Sequence, residues 1–133
     1  MTTLSTRLKI SAWDEQPAAQ YDDGSKITRA VVTLTEGADG VTSGTFESVM
    51  YYRADGTSHY VNVMHLDVEL GGRSGSITLT GDGTYDGTTA SGTSTIVPGS
   101  ATGELVGITG TCSSASTHAD YPFMPLTLTY DFA

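Results

Sequence analysis

The chain has 133 residues, 38% of them hydrophobic, with 6 Lys+Arg against 15 Asp+Glu and a formal net charge of -9. Such a length and apolar content exclude a disordered chain and predict a single domain over residues 1–133 that buries about two-thirds of its unfolded surface. The acidic balance, without any basic cluster, argues against nucleic acid or an anionic membrane as partner, because phosphate recognition needs grouped Lys and Arg.

No window carries a helical apolar period, whereas alternation with period two recurs throughout in segments rich in Val, Ile, Thr and Tyr. In chain order the pattern predicts strands at 5–13, 26–36, 41–53, 58–70, 73–81, 84–97, 103–111 and 124–132. Breaks fall at Asp22-Asp23-Gly24, Asp39-Gly40, Asp55-Gly56, Gly71-Gly72, Asp82-Gly83 and Pro98-Gly99, and the small polar stretch Ser113 to Thr117 reads as a loop. Asp-Gly and Gly-Gly pairs supply the positive φ of tight hairpins, so consecutive strands pair as antiparallel neighbours. Eight such strands hide their edges by closing into an up-and-down barrel with room for side chains or one small ligand; a two-layer sandwich is the alternative. The longest apolar runs, such as Ile27 to Leu34, are too short to span a bilayer.

Alternation also assigns faces. Tyr60, Asn62, Met64, Leu66 and Val68 form the more apolar side of their strand and point inward, with His65, Asp67 and Glu69 outward. Likewise inward are Leu8, Ile10 and Ala12; Phe46, Ser48, Met50 and Tyr52; Ile77 and Leu79; Ala90, Gly92, Ser94 and Ile96; and Leu126, Leu128, Tyr130 and Phe132. Large apolar groups mixed with small ones and a few hydroxyls suit a ligand pocket and suit a filled core equally.

Three inward tyrosines, Tyr52, Tyr60 and Tyr130, are candidates to orient or polarise a substrate, or else are core residues bonded to backbone. Asn62 is an inward amide on an apolar face and needs a partner. Glu47 and Glu69 face outward as solvated carboxylates, and Arg73 and Glu104 sit near turns as ion-pair or capping groups. His65 and His118 read as surface histidines without triad partners, and His59, His65 and His118 have no ligand spacing, so no metal is expected. Cys112, the single cysteine, lacks a neighbouring base and reads as a small hydrophobe. Gly71 to Gly75 lacks the Lys-Ser/Thr of a phosphate loop and reads as a hairpin with a bulge. The absence of a signal-like start and of disulfide pairs points to the cytoplasm.

Five segments taken together, Ser11 to Pro17, Lys26 to Ala30, Leu70 to Ser76, Val97 to Leu105 and Tyr130 to Phe132, resemble in order and spacing a bacterial family of unknown function with the allene oxide cyclase-like barrel. The resemblance implies an all-β, eight-stranded antiparallel barrel with a central cavity, in a superfamily with plant allene oxide cyclases and dirigent proteins, which steer reactive small molecules without a cofactor. The sequence departs from that family pattern at Met64, Gly81 and Ser94, where an acidic residue, a His and a Trp are usual; the interior should be larger and less polar for it.

The expectation is therefore a cofactor-independent cyclase or isomerase for a hydrophobic, polyketide-like or polyunsaturated molecule, acting by confinement. Tyr52, Tyr60 and Asn62 are its expected catalytic groups, and Phe46, Ser48, Met50, Met64, Leu66, Ile77, Leu79, Ser94 and Tyr130 its substrate walls. A lipocalin-like binding protein without turnover is the alternative. A third reading is an assembly protein with a filled barrel and outward Val61 and Val63 at a homo-oligomer interface.

Overall fold

Period-two alternation becomes burial directly: from Ser58 to Leu70 every even residue is buried or half-buried and every odd one exposed. The computed structural model describes residues 1–37 and 40–132, so Asp39 of the expected Asp39-Gly40 break lies outside the described residues. The strands are β1 (Thr2–Gln20), β2 (Lys26–Thr35), β3 (Val41–Tyr52), β4 (Ser58–Leu70), β5 (Arg73–Tyr85), β6 (Thr89–Ile96), β7 (Ile108–Thr117) and β8 (Phe123–Phe132), with one 3-10 turn at Gly103–Leu105. Each pairs antiparallel with the next, and β8 returns to β1, from Thr2 opposite Tyr130 to Lys9 opposite Phe123. The sheet thus closes on itself and leaves no edge, which the sandwich alternative would have done.

Five expectations need correction. β1 carries a register shift between Ile10 and Ala12, and this bulge exchanges the faces beyond it. Ala12 is consequently exposed, while Trp13 and Glu15 stand opposite the buried Val32 and Ala30 on the inner side. Asp82-Gly83 is not a turn: β5 continues through it to Tyr85, and the chain reverses where Asp86 Oδ1 accepts from the backbone N–H groups of Thr88 and Thr89 at 2.9 and 2.8 Å.

Residues 103–107 form no strand. Instead the 3-10 turn inserts Leu105, fully buried, beneath the sheet. β7 takes in the expected loop Ser113 to Thr117, which pairs with β6 along its whole length and with β8 at Ser113. The Gly71-Gly72 hairpin forms as a two-residue turn with φ of 59° and 81°, and Leu70 pairs with Arg73 with no register shift, so the expected bulge is absent there.

Two halves of the interior differ. Near the β2–β3 and β4–β5 turns it is solid: Leu34, Val41, Leu66, Ile77, Leu79, Leu105 and Leu128 are at most 1% exposed. Across Phe132, near Leu105's end of the sheet, the Arg73 guanidinium lies 4.2 Å from the ring centroid. Among the described residues no helix is long and apolar enough to cross a membrane.

Candidate functional site

The other half is hollow because of which residues meet there. β6 and β7 line it with small residues, among them Ala90, Gly92, Ser94, Cys112, Ser114 and Ser116, while β3 and β4 bring Phe46, Met50, Tyr60 and Met64. Short side chains on one wall leave a cavity of about 410 Å³, in the range of small-molecule pockets. Thr88, His118 and Tyr121, from the β5–β6 and β7–β8 connections, line its mouth, so it opens at the end opposite Leu105.

The turns at this end share a device, an aspartate holding its own turn. Asp23 Oδ1 accepts from Ser25 N at 2.9 Å, Asp55 Oδ1 from Thr57 N at 2.9 Å, and Asp120 Oδ2 from Thr117 N at 2.8 Å, alongside Asp86. Hydroxyl donation from Ser25 and Thr57, and backbone N–H donation to Asp86, hold Asp23, Asp55 and Asp86 below the ordinary carboxylate range.

Of the expected site residues, Tyr52, Tyr60, Asn62, Phe46, Ser48, Met50, Met64 and Ser94 all line the cavity. Leu66, Ile77 and Leu79 do not: each is 0% exposed within the solid half, because two residues along a strand carry a side chain about 6–7 Å deeper. Tyr130 is outside the cavity too, edge-on to Phe132 with ring centroids 6.0 Å apart. The three departures from the family pattern fall close together. Gly81 pairs with Asn62 on one side and Ser94 on the other, and Met64 follows Asn62 on the inner face of β4.

Tyr60 fits only because of glycines. A Cβ on Gly83 would come within 2.5 Å of Tyr60 Cζ, and one on Gly92 within 3.0 Å of Tyr60 Oη, so the phenol lies flat over both. Burial, and then the Asp82 carboxylate, raise the Tyr60 pKa. Burial followed by the Glu15 charge pushes Tyr52 up to about 12, so this phenol stays protonated and acts as a donor. Burial likewise pushes Cys112 up to about 12, in keeping with a small neutral group. Asn62 Oδ1 is buried and accepts from nothing among the described residues.

Alternation alone could not reveal four further groups. Trp13 lines the cavity edge-on to Phe46 at 6.2 Å, and its Nε1 donates to Glu15 Oε1 at 2.9 Å. Glu15 Oε2 accepts from Thr28 Oγ1 at 2.8 Å, which fixes a carboxylate beside Tyr52. Both were hidden by the bulge, although the single Trp in an otherwise polar segment was a signal. At the mouth, Tyr85 Oη donates to Gly87 O at 2.9 Å and stands 2.8 Å from His118 Nε2. His118 is therefore exposed, as expected, yet part of the rim. Glu47 pairs with Arg29, and Glu104 Oε1 accepts from Ser74 N at 3.2 Å, both away from the cavity. Among the described residues no three His, Cys, Asp or Glu gather as metal ligands.

Residues 4–130 match the family described as protein of unknown function, DUF3224. A crystal structure from Shewanella oneidensis MR-1, described as a protein with unknown function from that family, superposes with a TM-score of 0.75 at 22% identity, covering 100% of this chain and 98% of that one. At that identity the likeness concerns the fold alone. No curated protein matches the chain.

Proposed function

We propose, for a chain that belongs to the DUF3224 family and so inherits no assigned activity, that the open half of the barrel binds a hydrophobic small molecule and directs its cyclisation or isomerisation by confinement. The carrying observation is the cavity of about 410 Å³ above a solid floor, bounded by Phe46, Met50, Tyr60 and Met64. A polyketide-like or polyunsaturated chain folded into that space exchanges its own conformational freedom for burial, which lowers the entropic part of a ring-closing barrier. Tyr52, held protonated, would donate to an oxygen gaining charge, and no cofactor enters the scheme. Resemblance to the allene oxide cyclase-like barrels, where pocket shape also guides reaction, supports this reading.

A second reading has its own support. Tyr52 and Cys112, both with pKa pushed up to about 12, stay neutral in the cavity, as suits a carrier without turnover. Native mass spectrometry of freshly purified protein, followed by extraction, tests both. A co-purifying apolar metabolite supports binding; its conversion to an isomer on incubation with the protein selects the enzyme, and its persistence unchanged selects the carrier. An empty protein that also excludes a hydrophobic fluorescent probe sinks both. The same spectrum reads the homo-oligomer that exposed Val61 and Val63 would permit.

A further inference from the structure

The same alternation that turns even residues of β2, β3 and β4 inward turns odd ones to solvent, and over one stretch those odd residues are apolar. Val31, Val49, Tyr51, Val61 and Val63 are each 41–54% exposed on the outer face of these three strands. They are contiguous. Val49 stands opposite Val61, Tyr51 follows Val49 on β3, and Val31 and Val63 both stand opposite Glu47 in the next row of that face. Cross-strand and diagonal neighbours of this kind are within about 5–8 Å, so the side chains form one surface. Single exposed valines are ordinary, whereas a continuous apolar patch on a sheet face points to something that covers it.

The charges within the patch indicate what that is. Arg29 and Glu47 pair with each other among the valines, and His59 Nε2 lies 3.6 Å from Asp82 Oδ2 at the edge. The centre of this face is therefore close to neutral, on a chain whose formal net charge is -9. Repulsion between two copies is weakest where a face carries no net charge. A cation and an anion side by side are also complementary to themselves: a two-fold axis in the contact plane, passing between them, sets each guanidinium over the carboxylate of the other copy. An anionic membrane would find no basic cluster here, and a basic partner would find more charge to neutralise elsewhere on so acidic a chain. We propose that the chain forms a two-fold dimer through the outer face of β2, β3 and β4, with the valines at its centre and Arg29 of each copy against Glu47 of the other. This contact is outside the barrel and does not depend on what the cavity binds.

Sedimentation equilibrium and native mass spectrometry of the full chain test it. The unaltered protein should be a dimer at micromolar concentration, and Val61→Asp should weaken that dimer at least about a hundredfold. Arg29→Glu and Glu47→Arg should each weaken it too, since charges of one sign then face each other across the axis. Mixed in equal amounts, these two variants should form a heterodimer, recognisable by its mass and tighter than either homodimer. A protein that stays monomeric, a dimer that Val61→Asp leaves intact, or charge variants that gain nothing on mixing overturns the proposal. Should Val61→Asp fail to fold, the mixing experiment decides alone, because Arg29 and Glu47 are exposed side chains whose replacement costs the fold little.

Discussion

Gly83 is the position where a single methyl group tests how the cavity wall is built. Its backbone is outside the left-handed region, so glycine is needed there for space rather than for φ. An added Cβ would lie 2.5 Å from Tyr60 Cζ and 2.5 Å from Ser91 O, closer than real Cβ atoms come to anything. Overpacking of this kind costs about 1–3 kcal/mol, against about 0.4–1 kcal/mol gained from the stiffer unfolded chain. Gly83→Ala should therefore destabilise by about 1–2 kcal/mol net, read as a lower urea midpoint from the fluorescence of the single Trp13. Two obstacles contribute, the phenol and the carbonyl, and a double-mutant cycle separates them. Tyr60→Leu removes the ring, so the alanine should cost at least about 1 kcal/mol less in that background. A Gly83→Ala cost below about 0.5 kcal/mol, or one that Tyr60→Leu leaves unchanged, would refute the view that Tyr60 is seated on Gly83.

Further predictions concern the plug and the titrating groups. Leu105→Ala, at a 0% exposed position in the solid end, should cost about 2–5 kcal/mol in urea unfolding yet leave probe affinity at the open end unchanged. Cys112 and Tyr52 both rise to about 12 from ordinary values of 9.0 and 10.0, so folding keeps them neutral while the unfolded chain ionises. Their contribution is whole below pH 9 and is lost as pH rises towards 12; the urea midpoint should fall across that window, and less steeply in Cys112→Ala. The lowered carboxylates Asp23, Asp55 and Asp86 act in the opposite direction, their contribution being present above 3.8 and lost below it. Hydrogen-exchange protection of the Ser25, Thr57 and Thr88 amides should accordingly drop between pH 5 and pH 3 while that of β4 holds, and uniform protection would contradict the aspartate-held turns.

Strand order, antiparallel pairing and the inner face of β4 were legible because alternation and Gly-containing turns are local signals. Where the reading failed, the cause was a partner distant in sequence. Asp82-Gly83 has the chemistry of a turn, but that glycine is spent on room for Tyr60, a residue 23 positions earlier that no local rule connects to it. Ser113 to Thr117 has the composition of a loop and becomes a strand because β6 pairs with it from Thr93 to Thr89. The Ser11 bulge is a tertiary adjustment of β1 between its two neighbours, and one inserted residue moved Trp13 and Glu15 inward and Ala12 out.

The choice between filled core and cavity was open for a related reason. An inward serine or glycine can be matched across the barrel by a large side chain, and then no space results. What decides is whether small residues coincide in space: Ser94 and Cys112 are cross-strand partners on β6 and β7 and both line the cavity, so their deficits of volume add. Ser48, Asn62 and Gly81 continue the same row on the other side, which places the one long polar group of that row beside the accumulated space. The hollow therefore follows from residues that meet in one row of pairing, and a substitution that fills the row at Ser94 should take away its volume.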